Sequence, residues 1–269
     1  MYPNLKKGLL QLLAAVILIG ASGNASLAMA KAAEDIIDTS ELENGIVIIG
    51  NTGSEVKVDK VRVIKGGVVY TYDYENAMRL PLQSGSGEYQ VVLYSLVKGT
   101  SYKQVASKTV NYTTDDETAL YLQSNHMVTW DTGMRTIKKA AELTKGLKTD
   151  SEKADAIYNY IVNTYEYDSE KAKTVRSGYI PSIDNIFTSK KGICYDYSVS
   201  FAAMLRSVGI PAQVIMGQSK DVEGYHAWNQ VYLKGKWVTV DTTFDAGVGA
   251  QAVGLKEKKE AGFTIEKRY

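Results

Sequence analysis

Apolar and polar residues alternate with a period of two along the chain from about Gly45 to Thr114. Val, Ile, Tyr and Thr dominate this stretch, and short turns containing glycine interrupt it, as is typical of antiparallel strands. The alternation predicts five strands, at residues 46–49, 55–64, 68–74, 89–96 and 103–112. Five short strands without a helical stretch predict a small all-β, sandwich-like module over residues 31–115.

The polar stretch 113–118 is a candidate linker. Beyond it, the spacing of apolar residues changes from every second residue to that of a helix. Residues 132–147 are predicted to form a first helix. A second helix is indicated by a single apolar face, made of Ala154, Ile157, Tyr158, Ile161, Val162 and Tyr165. Asp150 or Ser151 is its predicted N-cap. The change of period predicts a separate α+β domain over residues 116–269.

A further helix of about four turns is predicted to carry Cys194 in its first turn and to stop at Gly209 and Pro211, because glycine followed by proline ends helices. A thiol in the first turn lies near unpaired backbone N–H groups and the positive end of the helix dipole. That position favours the thiolate, and the same N–H groups can hold an oxyanion. Cys194 is the only cysteine, and an inert buried thiol or an intermolecular crosslink is the alternative.

Two strands, 226–233 and 236–243, flank Lys234 and Gly235, which form a predicted two-residue hairpin turn. If pairing starts directly at this turn, His226 and Asp241 lie on one face as diagonal neighbours. Diagonal neighbours on a sheet are within reach of a side-chain hydrogen bond. A slip of one residue would place the two side chains on opposite faces.

The face of this hairpin that carries His226 is chemically mixed, whereas the opposite face is apolar and is predicted to be core. The mixed face also holds Trp228, Gln230, Tyr232, Trp237 and Thr239. Trp228 and Trp237 are therefore candidates for shaping a substrate cleft, with ordinary aromatic packing as the alternative.

Three sequence blocks resemble the transglutaminase-like family. They are Gly192-Ile193-Cys194-Tyr195-Asp196-Tyr197, Tyr225-His226-Ala227-Trp228-Asn229 and Trp237-Val238-Thr239-Val240-Asp241-Thr242-Thr243. The resemblance covers roughly residues 148–245 and implies a papain-like scaffold with the catalytic triad Cys194, His226 and Asp241. Gln230 and Thr242 depart from the residues that many members carry, which weakens inferences about substrate more than those about catalysis.

The resemblance implies a thiol enzyme that acts on peptide or amide bonds through a thioester intermediate. Such an enzyme is a cysteine protease or amidase if water resolves the thioester, and an acyltransferase if an amine does. We favour hydrolysis over amine transfer. The alternatives are a protein-crosslinking transglutaminase, a cell-wall peptidase of the other secreted papain-like type, and an adhesion or wall-binding protein with a vestigial enzyme core.

The N-terminus has the pattern of a secretory signal peptide over residues 1–30. Lys6 and Lys7 precede an apolar stretch, and Ala28-Met29-Ala30 is a small-x-small cleavage site. A secreted or cell-wall-associated protein is expected, with no membrane span after processing, and a retained membrane anchor is the alternative. The expected partner is a protein or peptide substrate, with a cell-wall peptide as one candidate.

Composition excludes several other classes of function. The formal net charge of the 269-residue chain is +1, so neither nucleic acid nor an anionic membrane surface is an expected partner. One cysteine and two histidines do not provide the four ligands of a structural zinc site, and no metal or cofactor is expected. His126, the second histidine, is expected to be an ordinary loop or surface residue.

Overall fold

The computed structural model describes residues 36–52, 56–248 and 254–269. These residues fall into two compact units that divide between Leu120 and Tyr121. The predicted signal peptide, residues 1–30, lies outside the described residues. Within the described part of the chain, no helix is both long enough and apolar enough to cross a membrane.

The first unit is all-β in its described part. Its strands are β1 (Ile37–Asp38), β2 (Ile46–Ile49), β3 (Lys60–Lys65), β4 (Val68–Asp73), β5 (Met78–Pro81), β6 (Gly87–Lys98) and β7 (Ser101–Tyr112). They form two antiparallel sheets with the orders β1-β2-β5 and β4-β3-β6-β7. The all-β, sandwich-like module is confirmed, although β5 was not predicted and β3 begins at Lys60, later than the alternation suggested.

The second unit combines six described helices with a mainly antiparallel set of strands. The helices are α1 (Arg135–Thr144), α2 (Asp150–Thr164), α3 (Ser169–Thr174), α4 (Ile183–Ser189), α5 (Cys194–Ser207) and α6 (Thr242–Gly247). The strands are β8 (Glu166–Tyr167), β9 (Lys191–Gly192), β10 (Ala212–Ser219), β11 (Val222–Leu233), β12 (Lys236–Val240) and β13 (Phe263–Arg268). The predicted α+β architecture of this domain is therefore confirmed.

The core of this unit lies between a central helix and a sheet. Strands β12-β11-β10-β13 form an antiparallel sheet, and α5 packs against β10 and β11. Helices α1 and α2 pack against α5 in turn. Every residue of α5 from Tyr195 to Arg206 is buried, because the helix is covered on several sides. Cys194, at the start of this central helix, is consequently held by the best-packed part of the unit.

Helix ends follow their local chemistry. The predicted N-cap of α2, Asp150 or Ser151, is wrong, because the N-cap is Thr149, directly before them. The Thr149 hydroxyl accepts from the Glu152 backbone N–H, and the Glu152 carboxylate accepts from the Thr149 N–H at 2.8 Å, which is a capping box. The predicted end of α5 is confirmed, with Gly209 in the left-handed region at a φ of 85°.

The hairpin that carries His226 has the predicted register. Leu233 pairs with Lys236, and Gln230 pairs with Thr239. The second strand nevertheless ends at Val240 rather than continuing to Thr243, because the side chain of Asp241 caps α6. The preceding connection is short, since β10 reaches Ser219 and β11 begins at Val222.

The C-terminal part of the unit completes the sheet. Strand β13 pairs with β10, and the bulge in this pairing falls beside Gly217. A Cβ atom at Gly217 would lie 2.0 Å from the carbonyl oxygen of Thr264, so the close approach of the two strands requires glycine at this position. Residues 254–262 lead into β13, and within them the Lys258 backbone N–H donates to the Thr239 carbonyl at 2.8 Å.

Candidate active site

Cys194 is the first residue of α5 and carries a free, partly exposed thiol. The preceding residue, Ile193, has an extended backbone, with φ −95° and ψ 176°, so the chain turns into the helix directly before the thiol. The backbone N–H groups of the first helical turn have no acceptor within the helix. Cys194 therefore combines solvent access with the partial positive charge of a helix N-terminus, as the sequence predicted.

His226 and Asp241 form a buried hydrogen-bonded pair. The imidazole Nε2 lies 2.7 Å from Asp241 Oδ2, and both side chains are 2% exposed. Cys194 is near enough to this ring to contribute to the raised pKa of His226. Because Nε2 is engaged by the carboxylate, Nδ1 is the ring nitrogen left for the thiol. The structure thus pairs His226 with Asp241, as the sequence predicted, and places Cys194 near this pair at the start of α5.

The surroundings of His226 favour its protonated form. Burial by itself would lower the pKa of the imidazole, but hydrogen bonds to Asp241 and Cys194 and the charges of these two residues outweigh burial. The pKa of His226 is raised from 6.5 to about 10. An imidazolium at neutral pH, held between a carboxylate and a thiol, is the state that pairs with a thiolate.

Asp241 has two functions in the structure. Its Oδ2 atom bonds to His226, whereas Oδ1 accepts from the Phe244 backbone N–H at 3.0 Å and caps α6. Asp245, one turn later in α6, is also buried. It accepts hydrogen bonds from the Tyr158 hydroxyl at 2.8 Å and from the Lys258 ammonium at 2.5 Å. Helix α6, and with it the carboxylate of Asp241, is therefore anchored to α2 and to the segment before β13.

Asn229 connects the strand of His226 to the helix of Cys194. Its fully buried amide Nδ2 donates to the Ser198 carbonyl in α5 at 2.9 Å and to the Gln213 carbonyl in β10 at 3.0 Å. The Ser198 hydroxyl in turn donates to the Cys194 carbonyl at 2.9 Å. Asn229 belongs to the sequence block that contains His226, but no function was predicted for it. Its position explains how helix and strand keep the thiol and the imidazole together.

The two tryptophans predicted to shape a cleft lie in different surroundings. Trp228 is 1% exposed, with its ring centroid 6.0 Å from that of His226 and 4.9 Å from that of Phe263. Trp237 packs edge-on against Tyr121 and Tyr232, with ring centroids 5.4 Å and 5.3 Å away. Both therefore pack as aromatic residues, and Trp228 also borders a cavity.

That cavity, of about 350 Å³, lies on the His226 face of the sheet. It is lined by Trp228, Gln230, Thr239, Glu260, Ala261, Phe263, Ile265 and Arg268. Gln230 Nε2 is 3.2 Å from Glu260 Oε1 and 3.4 Å from Thr239 Oγ1, so part of the wall is polar. The sequence analysis did not assign the residues after Gly254 to the site. They follow a charged stretch, and their short alternation of apolar and polar residues contains no motif.

Part of the chain is similar to known proteins. Residues 137–242 match the transglutaminase-like superfamily. Kyphoscoliosis peptidase from Mus musculus is 31% identical over 137 residues, which are 46% of this chain and 20% of the relative. The Homo sapiens protein of that name is 32% identical over 120 residues, which are 40% of this chain and 18% of the relative. The chain thus spans about a fifth of the length of these curated relatives.

A solved structure of a candidate cysteine protease from Cytophaga hutchinsonii is similar as well. It is 15% identical, the comparison covers 78% of this chain and 76% of that one, and the TM-score is 0.45.

Proposed function

Residues 137–242 belong to the transglutaminase-like superfamily, and from this we propose that the protein is a cysteine-type enzyme that acts on peptide or amide bonds. The observation that carries the proposal is the buried His226–Asp241 pair, with Nε2 2.7 Å from Oδ2, next to the Cys194 thiol at the start of α5. A nucleophile, a base and a residue that orients the base are the parts that such chemistry needs.

The proposed reaction begins with transfer of the Cys194 proton to His226 Nδ1, which gives a thiolate and an imidazolium. The thiolate sulfur attacks the carbonyl carbon, and the N–H groups at the start of α5 stabilise the oxyanion. His226 donates its proton to the nitrogen as the C–N bond breaks, so an amine leaves and a thioester remains. Asp241 keeps the ring oriented and stabilises its charge throughout.

In the second half of the reaction, His226 takes a proton from the incoming nucleophile as that nucleophile attacks the thioester. Water gives a carboxylic acid, whereas a primary amine gives a new amide bond, and Cys194 is released in either case. We propose hydrolysis as the main outcome. Transfer requires a site that concentrates the amine and limits water, and the two matched relatives carry the name peptidase.

We further propose that the enzyme is secreted and meets its peptide substrate outside the cytoplasm, with cell-wall peptides as one candidate class. The basic, apolar and small-residue regions of the first 30 residues support this proposal. N-terminal sequencing of the exported protein tests it, since cleavage after Ala30 is expected and an intact N-terminus would contradict it.

Competition between water and an amine tests the choice between hydrolysis and transfer. The protein is incubated with a peptide library and a labelled primary amine at millimolar concentration, and the products are identified by mass spectrometry. We expect hydrolysed peptide with little amine adduct, and no product with the Cys194→Ala variant. Adduct that dominates at modest amine concentration would instead identify a crosslinking transglutaminase.

A further inference from the structure

A buried carboxylate lies beside the proposed nucleophile. Asp196, the third residue of α5, has a fully buried side chain. Its Oδ2 accepts from the Ile193 backbone N–H at 2.8 Å, which caps the start of the helix. A Cβ atom at Gly192 would lie 2.6 Å from the Cβ of Asp196. The position of the Asp196 side chain at the start of the helix therefore requires glycine at residue 192. The glycine two residues before the cysteine thus has a structural reason.

Lys171 and Tyr179 enclose this carboxylate from another part of the chain. The Lys171 ammonium is 2.6 Å from Asp196 Oδ2, and the Tyr179 hydroxyl is 2.6 Å from Oδ1. The ammonium also lies 2.6 Å from the Tyr179 hydroxyl and 4.3 Å from the centre of its ring. Since the Lys171 side chain is 26% exposed, the ion pair is shielded from solvent mainly on the side of Asp196.

The segment that carries Lys171 is attached directly to the residues before Cys194. Strand β8 pairs in parallel with β9, and the Asp168 backbone N–H donates to the Gly192 carbonyl at 2.9 Å. The Asp168 side chain then accepts from the Lys171 N–H and starts α3. Lys171 is therefore placed by the same short strand pair that precedes the thiol.

We propose that Lys171 is a positioning residue whose charge balances the buried carboxylate of Asp196. This inference rests on the proposed function of Cys194 as the nucleophile. The carboxylate fixes the start of α5 but is a negative charge within the first turn, where it opposes the thiolate. The Lys171 ammonium cancels that charge, so the helix start remains favourable for the thiolate and for the oxyanion that follows.

The other titratable groups near this pair do not supply the balancing charge. Burial and the hydrogen bond to Asp196 raise the pKa of Tyr179, and burial raises the pKa of Tyr195, so both hydroxyls stay neutral in the working range. His226 faces the thiol from β11 together with Asp241, and this pair carries its own opposite charges. Lys171 is thus the one cation among the groups that contact Asp196 in the described residues.

The test measures the rate of Cys194 alkylation by iodoacetamide against pH in the full chain, with thermal unfolding in parallel. In Lys171→Met the carboxylate is unbalanced, and the pH midpoint of alkylation should rise by about one unit. In Asp196→Asn the ammonium is unbalanced, and the midpoint should fall. The double variant should return close to the wild-type midpoint, although it is less stable.

Matched variants separate charge from structure. Lys171→Arg keeps the charge and should keep the midpoint, as should Lys173→Met, which removes an exposed cation of the same helix that pairs with Glu170 at 2.7 Å. Tyr179→Phe should lower the melting temperature without moving the midpoint. A purely structural function of Lys171 would instead lower stability in all buried variants and leave every midpoint in place.

Unchanged midpoints in Lys171→Met and Asp196→Asn, with rapid alkylation of the wild type, would overturn this proposal alone. Slow, free-thiol-like alkylation of the wild type would overturn the proposed function. If Lys171→Met does not fold, the Asp196→Asn variant decides, since a fall in its midpoint supports the charge balance and a constant midpoint contradicts it.

Discussion

Replacing His226 with alanine should lower the turnover of a peptide substrate by roughly 10⁴-fold, because the imidazole both accepts the thiol proton and donates it to the leaving amine. The same variant should lose the rapid alkylation of Cys194 near pH 6. A free thiol of pKa about 8.5 is less than about 1% thiolate at that pH. A stabilised thiolate is less nucleophilic, which offsets part of the gain from its larger thiolate fraction. The alkylation rate near pH 6 is therefore expected to fall by about 10-fold or more in the variant.

His126→Ala is the matched control, because it removes the other histidine of the chain, which lies in the turn bridged by Asn125 and Val128. Its turnover and alkylation rate should equal those of the wild type. Thermal unfolding of both variants shows whether the fold is retained. Equal alkylation rates for wild type, His226→Ala and a small model thiol would contradict the proposed function of all three triad residues.

Replacing Asp241 with asparagine should lower turnover by roughly 10³- to 10⁴-fold while the fold remains stable. The asparagine oxygen can still accept from the Phe244 N–H and cap α6, since Asn is as good an N-cap as Asp. Its amide group, however, donates to His226 Nε2, so the proton of the neutral ring moves to Nδ1 and the ring no longer accepts the thiol proton. Turnover measured beside the melting temperature separates these effects.

Asp241→Ala provides the comparison, because it removes the cap as well. It should lose a similar amount of activity and also about 1 kcal/mol of stability. An asparagine variant that keeps most of its turnover would show that Asp241 serves only as a helix cap.

The raised pKa of His226 also predicts the alkaline behaviour of the protein. Because protonation is favoured in the folded state, its contribution to stability is complete below pH 6.5 and disappears as the pH rises through about 10. Asp241→Asn removes part of the cause, so in this variant the contribution of His226 to stability should disappear at lower pH than in the wild type. Denaturant titrations between neutral and alkaline pH measure this shift, and identical profiles would contradict the assigned cause.

The site was largely predictable because its parts are set by short-range rules. A two-residue turn at Lys234 and Gly235 fixes the register of the hairpin, and register alone decides whether His226 and Asp241 share a face. The position of Cys194 in the first turn of α5 was likewise indicated by the apolar spacing and by the glycine and proline after the end of the helix. The one local error, a strand through Asp241, arose because a side chain that caps a helix competes with the strand's hydrogen bonds.

Other features needed information that neighbouring residues do not contain. Strand β5 includes Pro81, which argues against a central strand, yet β5 lies at the edge of its sheet, where proline is tolerated. The N-cap of α2 could have been predicted from the sequence, because Thr149 followed three residues later by Glu152 is a capping-box motif. The contact of Lys171 with Asp196 could not be predicted in this way, since it joins residues that are 25 positions apart in the sequence.

Asp241 also couples the dynamics of one helical turn to the proportion of molecules that are ready to react. When the first turn of α6 opens, the amide of Phe244 leaves Oδ1, and the carboxylate that orients His226 is freed at the same moment. Exchange of the Phe244 amide hydrogen with deuterated solvent therefore reports the openings that misalign the imidazole. Solvents or substitutions that accelerate this exchange should reduce the active fraction even when the rest of the fold is untouched.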